Sequence, residues 1–182
     1  RLNPEGIILS GGPASIYEKD SPRIHPAVFK MGIPILGICY GLQILTHVLG
    51  GKVEPALHRE YGRKTFFIKD TEDIFHGLSP QETVWMSHGD RVEVLPPGFE
   101  IIGASDTCPV GAIRNSARRV YAVQFHPEAG PGPHDSLAVF AAFFARAAWH
   151  AVRAQRWRDV VLGALMCVPL AALVYRPLEV GY

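Results

Sequence analysis

The stretch Ile33-Pro34-Ile35-Leu36-Gly37-Ile38-Cys39-Tyr40-Gly41-Leu42-Gln43 decides the fold. Its first six residues are a short apolar run without period-two alternation, the pattern of a strand buried on both faces of a parallel sheet. From Tyr40 to Leu49 the apolar residues recur at helical spacing, and Gly50-Gly51 supplies a stop. Cys39 therefore falls on a tight strand-to-helix turn, with one glycine two residues before it and another two residues after. A nucleophile on such an elbow occupies a cramped backbone conformation, and flanking glycines let neighbouring chain pass without Cβ clashes. The same turn sets Cys39 at a helix N-terminus, where unpaired N–H groups and the helix dipole favour the attacking thiolate.

Working outward, Gly6-Ile7-Ile8-Leu9-Ser10 reads as a second buried parallel strand, ending in Gly11-Gly12-Pro13. This is the carboxyl edge, where open α/β sheets place their sites. Backbone N–H groups of Gly12 and of Tyr40, just after the cysteine, are candidate oxyanion donors. No Gly-Lys-Ser/Thr follows, so the turn is not a phosphate loop. A helix is expected near Pro26 to Lys30. The middle, from Val53 to about Ile102, carries hairpin-like elements at Lys64 to Ile68, Glu82 to Met86, Arg91 to Leu95 and Glu100 to Ala104, with a firm turn at Pro96-Pro97-Gly98. Gly111 to Ile113 and Val120 to Phe125 read as the last strands, and Ser136 to Ala148 as a long apolar helix. The expectation is an α/β domain over residues 1–148: an open, mostly parallel sheet with helices on both faces and an antiparallel β insert. Residues 149–182 form an apolar, Arg-flanked tail. Its uncharged run Val160 to Tyr175 falls short of the roughly 20 apolar residues of a spanning helix, so membrane insertion is not expected.

Composition narrows the chemistry. The 182 residues suffice for one domain plus a short appendage, and 48% hydrophobic with 19% charged content describes a folded chain rather than a disordered one. A formal net charge of +1 leaves no excess to neutralise phosphates, so nucleic acid is not an expected partner. Cys39, Cys108 and Cys167 are far apart and not in metal-binding spacing, and the histidines show no His-x-x-x-His pair; no metal is expected, and a reducing cytoplasm fits.

A thiolate needs a proton carrier, and Gln124-Phe125-His126-Pro127-Glu128 supplies one at the end of the last expected strand. In an extended segment residues two apart face one side. Glu128 can then bond one imidazole nitrogen of His126 while the other faces the sulfur, fixing the tautomer and steadying the imidazolium.

Joined in this order, the Cys39 elbow and the His126–Glu128 motif resemble those of class I glutamine amidotransferases. Ile8-Leu9-Ser10-Gly11-Gly12-Pro13, Arg59-Glu60-Tyr61-Gly62-Arg63, Trp85-Met86-Ser87-His88-Gly89-Asp90 and the Pro96 to Phe99 run extend the resemblance, within that group, to the glutaminase domains of GMP synthases. It covers roughly the first 128 residues. It implies a flavodoxin-like fold, with an opening strand and helix before Arg1, and hydrolysis of L-glutamine through a thioester on Cys39. It further implies His126 and Glu128 as the other triad members, Gly12 and Tyr40 as oxyanion donors, and Gly11, Gln43, Ser87, His88 and Gly89 as glutamine contacts. Ammonia would pass to an ATP-pyrophosphatase synthetase partner that aminates xanthosine monophosphate. ATP and magnesium belong on that partner, since this chain lacks a Ser-Gly-Gly-x-Asp-Ser loop and needs no cofactor of its own. Asp90 and the Arg59 to Arg63 segment would face it. After Glu128, Ala129 to Asp135 instead resembles the small subunit of carbamoyl-phosphate synthase, which leaves that enzyme as an alternative; an inactive or regulatory glutamine-binding fragment is the other.

Overall fold

Ile35–Ile38 forms the strand β2, buried on both faces, with β1 (Ile7–Leu9) paired parallel on one side and β7 (Val120–Val123) parallel on the other. This computed structural model describes residues 4–129 and 137–153. Tyr40–Val48 forms helix α1 directly after β2. The rest of the seven-stranded sheet is antiparallel: β3 (Lys52–Ile68), β4 (Gln81–Val94), β5 (Glu100–Ala104) and β6 (Ala112–Asn115), in the order β1-β2-β7-β6-β5-β3-β4. The expected α/β class holds, but the sheet is mixed rather than mostly parallel. Its β3–β4 hairpin is a long ribbon continuous with the sheet, because the segment read as separate short elements pairs along nearly its whole length.

The core divides across the sheet as alternating side chains require. On one face Ile35, Ala122 and Val120 meet Leu42, Ile44 and Leu45 of α1. On the other, Leu36, Ile38, Tyr121 and Val123 meet Val139 and Phe143 of helix α2 (Leu137–Arg153). Helices thus cover both faces, as expected. Helix α2 runs past the expected boundary at Ala148 to Arg153, with Ala151 fully buried. The expected helix near Pro26 is a single 3-10 stretch, Pro26–Lys30. The strand expected over Val120 to Phe125 ends at Val123, and the chain then bends. The apolar run Val160 to Tyr175 lies outside the described residues. No helix among those described is long and apolar enough to cross a membrane.

Phe66 anchors the second face. Its ring lies edge-on to Phe125, with centroids 4.9 Å apart, and to Phe75 at 6.1 Å. It fits only because Gly103 and Gly111 carry no side chain: a Cβ there would sit 2.4 and 2.5 Å from the ring. Removing it by Phe66→Ala leaves a cavity no backbone can fill, and we expect a loss of about 3–5 kcal/mol in urea unfolding. Because Phe125 immediately precedes His126, the same substitution should loosen the loop that carries the histidine.

Candidate active site

Cys39 caps α1 with φ 50° and ψ −105°, a positive-φ conformation that costs energy for any residue with a Cβ. Two glycines make the turn possible. A Cβ on Gly41 would lie 2.0 Å from the Leu9 carbonyl oxygen, and one on Gly37 would lie 3.0 Å from the Gly41 backbone. Hydrogen bonds lock the elbow: the Cys39 N–H donates to the Val123 carbonyl at 2.8 Å, and its own carbonyl accepts from Leu42 and Gln43.

His126 arrives from the carboxyl end of β7, its N–H donating to the Trp85 carbonyl of β4 at 2.9 Å. Its Nδ1 lies 2.8 Å from Glu128 Oε1. The expected pairing is present, but it is made across a turn closed by the Ala129 N–H on the His126 carbonyl, not along an extended strand. Gly11 lets the ring approach the cysteine: a Cβ there would stand 2.8 Å from His126 Cε1 and 3.4 Å from Cys39 Cβ. The hydrogen bond with the Cys39 sulfur, followed by that with Glu128, raises the His126 pKa to about 10 against the opposing effect of burial. Burial pushes Glu128 up, but the His126 hydrogen bond, one from its own backbone and the imidazolium charge leave its carboxyl below the ordinary value. The Cys39 Sγ also lies 3.5 Å from the Ser87 carbonyl. The protonated thiol can donate to that oxygen, whereas the thiolate must turn to the imidazolium.

These groups open into a cleft of about 780 Å³. Of the residues expected at the site, Gly11, Gly12, Cys39, Gln43, Ser87, His88, Gly89, His126 and Glu128 all line it. The Tyr40 side chain does not; it turns away to donate to the Pro22 carbonyl at 2.5 Å, leaving only its backbone toward the elbow. Ser87-His88-Gly89, between the elements expected at Glu82 to Met86 and Arg91 to Leu95, lies within β4. The His88 ring is buried with both nitrogens engaged, Nε2 at 2.9 Å from Glu60 Oε2 and Nδ1 at 3.1 Å from the Asp90 carbonyl. It can therefore offer a ligand little beyond its backbone. Asp90 and the Arg59–Arg63 segment, expected on a partner-facing surface, divide differently. Asp90 lines the cleft, with its carboxylate accepting from Ser15 Oγ at 2.5 Å. Arg59, Tyr61 and Arg63 are exposed, while Glu60 between them is buried.

One grouping has no counterpart among the sequence motifs. Glu60, His88 and Cys108 come within 4.8 Å of one another, although they are far apart in the chain. His88 is fully hydrogen-bonded, and burial together with the nearby Glu60 pushes the Cys108 thiol up to about 12. The trio is thus bonded as a hydrogen-bond network rather than arranged as an open metal site.

The strained cysteine at a helix start, the paired imidazolium and the sheet order define a class of protein. The family model for class-I glutamine amidotransferases matches residues 1–146, and the chain belongs to that family. The GMP synthase [glutamine-hydrolyzing] of Enterococcus faecalis is 53% identical over 128 residues, which are 70% of this chain and 25% of that protein. A Thermoplasma acidophilum protein provisionally named as a GMP synthase subunit is 32% identical, with a TM-score of 0.69 over 83% of this chain and 76% of its own. A glutamine amidotransferase from Thermotoga maritima, at 21% identity, shares the fold with a TM-score of 0.61 over 94% of this chain and 79% of its own. The chain spans about a quarter of the length of the curated relatives it matches.

The elbow and the histidine can each be tested through stability. Gly41→Ala drives a Cβ into the Leu9 backbone and should cost at least about 3 kcal/mol in urea unfolding, because backbone cannot yield as a side chain can. For His126, the folded pKa near 10 exceeds the ordinary 6.5. The proton it holds therefore contributes stability that is complete below about pH 6.5 and is lost as pH rises through about 10. Urea midpoints measured from about pH 6 to about pH 10.5 should fall across that window. In Cys39→Ala, which removes the largest cause of the shift, the fall should begin at the same pH but end at a lower one and be smaller.

Proposed function

We propose that this chain hydrolyses L-glutamine to glutamate and ammonia. The observation that carries the reading is the grouping of Cys39, His126 and Glu128 along one cleft, with the nucleophile on a strained turn at a helix start. The Cys39 thiolate attacks the side-chain amide carbon, and the resulting oxyanion is held by the Gly12 and Tyr40 backbone N–H groups. His126 donates its proton to the departing nitrogen as the C–N bond breaks, leaving a glutamyl thioester on Cys39 and free ammonia. The neutral His126 then takes a proton from water, whose oxygen attacks the thioester. The C–S bond breaks, glutamate leaves, and the thiolate and imidazolium are restored. Glu128 keeps the imidazole oriented throughout. Also lining the cleft, Asp90 suits the α-ammonium of glutamine, and Arg59, the one Arg or Lys among the lining residues, suits its carboxylate.

The ammonia goes, in this reading, to a synthetase partner that uses ATP and magnesium to aminate xanthosine monophosphate to GMP, in the cytoplasm. Support comes from relatives named GMP synthase, of which the matched segment is only 25%. It comes also from the exposed face of the β3–β4 ribbon, where Tyr61, Phe67 and Trp85 are 60%, 41% and 38% exposed and Tyr61 lines the cleft. Arg63 pairs with Trp85 on that face.

Glutamate release by the purified chain should fall at least about a thousandfold in Cys39→Ala and in His126→Ala. Adding a GMP synthase ATP-pyrophosphatase domain with nucleotide should raise release by the wild type. Arg63→Glu should lower that stimulation while leaving the rate without partner unchanged. Release that survives Cys39→Ala would overturn the assignment.

A further inference from the structure

Glu60 is a carboxylate with almost no access to water and no role in the chemistry above. It sits in β3 directly opposite His88 of β4, and the two side chains are 5% and 2% exposed. Such a group is costly unless every lone pair is satisfied. Here Oε2 meets His88 Nε2 at 2.9 Å, and Oε1 accepts from Ser105 Oγ at 3.5 Å. Ser105 Oγ in turn accepts from the Cys108 N–H at 3.0 Å, and the Cys108 thiol, held protonated by burial, donates to the Val110 carbonyl at 3.6 Å.

The other end of this chain of bonds reaches the cleft. His88 Nδ1 faces the Asp90 carbonyl, which can only accept, so Nδ1 carries a proton. The same carbonyl accepts from Gln43 Nε2 at 3.0 Å. Thus the Asp90 backbone is held by His88 from beneath and by Gln43 from α1, while the Asp90 carboxylate is tied to Ser15 in the loop after β1. Ser15, Gln43 and Asp90 all line the cleft.

We propose that Glu60 is a positioning residue for the substrate end of the cleft. It holds the His88 ring, the ring holds the Asp90 carbonyl, and that carbonyl sets where Gln43 and the Asp90 carboxylate meet the α-carbon groups of glutamine. The inference rests on the glutaminase reading and adds the determinant of its affinity. Glu60 touches neither substrate nor reacting atoms, so its loss should weaken glutamine binding and leave the sulfur chemistry intact.

The test is steady-state glutamate release by the full chain and by Glu60→Gln, Glu60→Ala and Ser105→Ala, together with the rate at which iodoacetamide alkylates Cys39 in each. Glu60→Ala should raise KM for glutamine at least about tenfold, as expected for loss of a buried charge-assisted hydrogen bond. Its kcat and its Cys39 alkylation rate should stay within about threefold of wild type. Glu60→Gln, which can still accept from His88, should restore much of the loss, and Ser105→Ala should raise KM less. A merely structural role would lower the folded fraction, reducing kcat per milligram with KM unchanged, and that result overturns the proposal. If the wild type releases no glutamate, glutamine protection of Cys39 from iodoacetamide replaces KM: weaker protection in Glu60→Ala sustains the proposal while the glutaminase reading fails. Absence of protection in the wild type removes both.

Discussion

The conformation of one residue constrains the whole site. Cys39 at φ 50° is held against its own preference by the hydrogen bond to Val123 and by the start of α1, in space that Gly37 and Gly41 leave clear. Strain of this kind, on the order of 1–3 kcal/mol, persists only where surrounding packing determines the turn completely. Here the surroundings are the three parallel strands β1, β2 and β7, whose carboxyl ends deliver Gly11, Cys39 and His126 to one point. The parallel trio is a minority of the sheet, yet it carries the reactive groups, as the ends of parallel strands in α/β folds generally do.

The antiparallel ribbon serves the other half of the site. Strand β4 supplies the Ser87 carbonyl facing the sulfur, the Trp85 carbonyl that anchors the His126 loop, and the Asp90 wall of the cleft. The Cys39–His126–Glu128 group and the opposite wall of the cleft are thus built on separate pieces of the fold that meet along β4. The electrostatics separate in the same way: His126 is stabilised as an imidazolium by the sulfur and Glu128, while Glu60 and His88 pair with each other in a buried contact that does not include the triad.

What the sequence disclosed followed from how local each signal is. The Cys39 elbow needs only the run Gly37 to Gly41, and its glycines have a steric reason that can be read without coordinates. The His126–Glu128 pair is close in sequence, so its contact was legible even though the expected extended geometry is really a turn. Gln43 and the Ser87–Gly89 segment gave up their place but not their mode of contact, because burial of the His88 ring depends on a partner 28 residues away. The Glu60–His88–Ser105–Cys108 network had no local signature at all. Glu60 stands among Arg59, Tyr61 and Arg63 in a segment that reads as charged surface, and only the alternation of a long strand turns it inward. The excess of antiparallel pairing was hidden for a related reason: Pro55, Gly62 and Gly89 punctuate the ribbon and make it read as several short pieces.

Activation of Cys39 by its turn and its histidine for attack on a glutamine amide is best probed by intact-mass analysis after exposure to an α-chloroketone analogue of glutamine. A single adduct on Cys39 is expected, formed much faster than with a simple chloroketone, blocked by excess glutamine and slowed in His126→Ala. Equal labelling of Cys39 by both reagents, or labelling indifferent to glutamine, would contradict it.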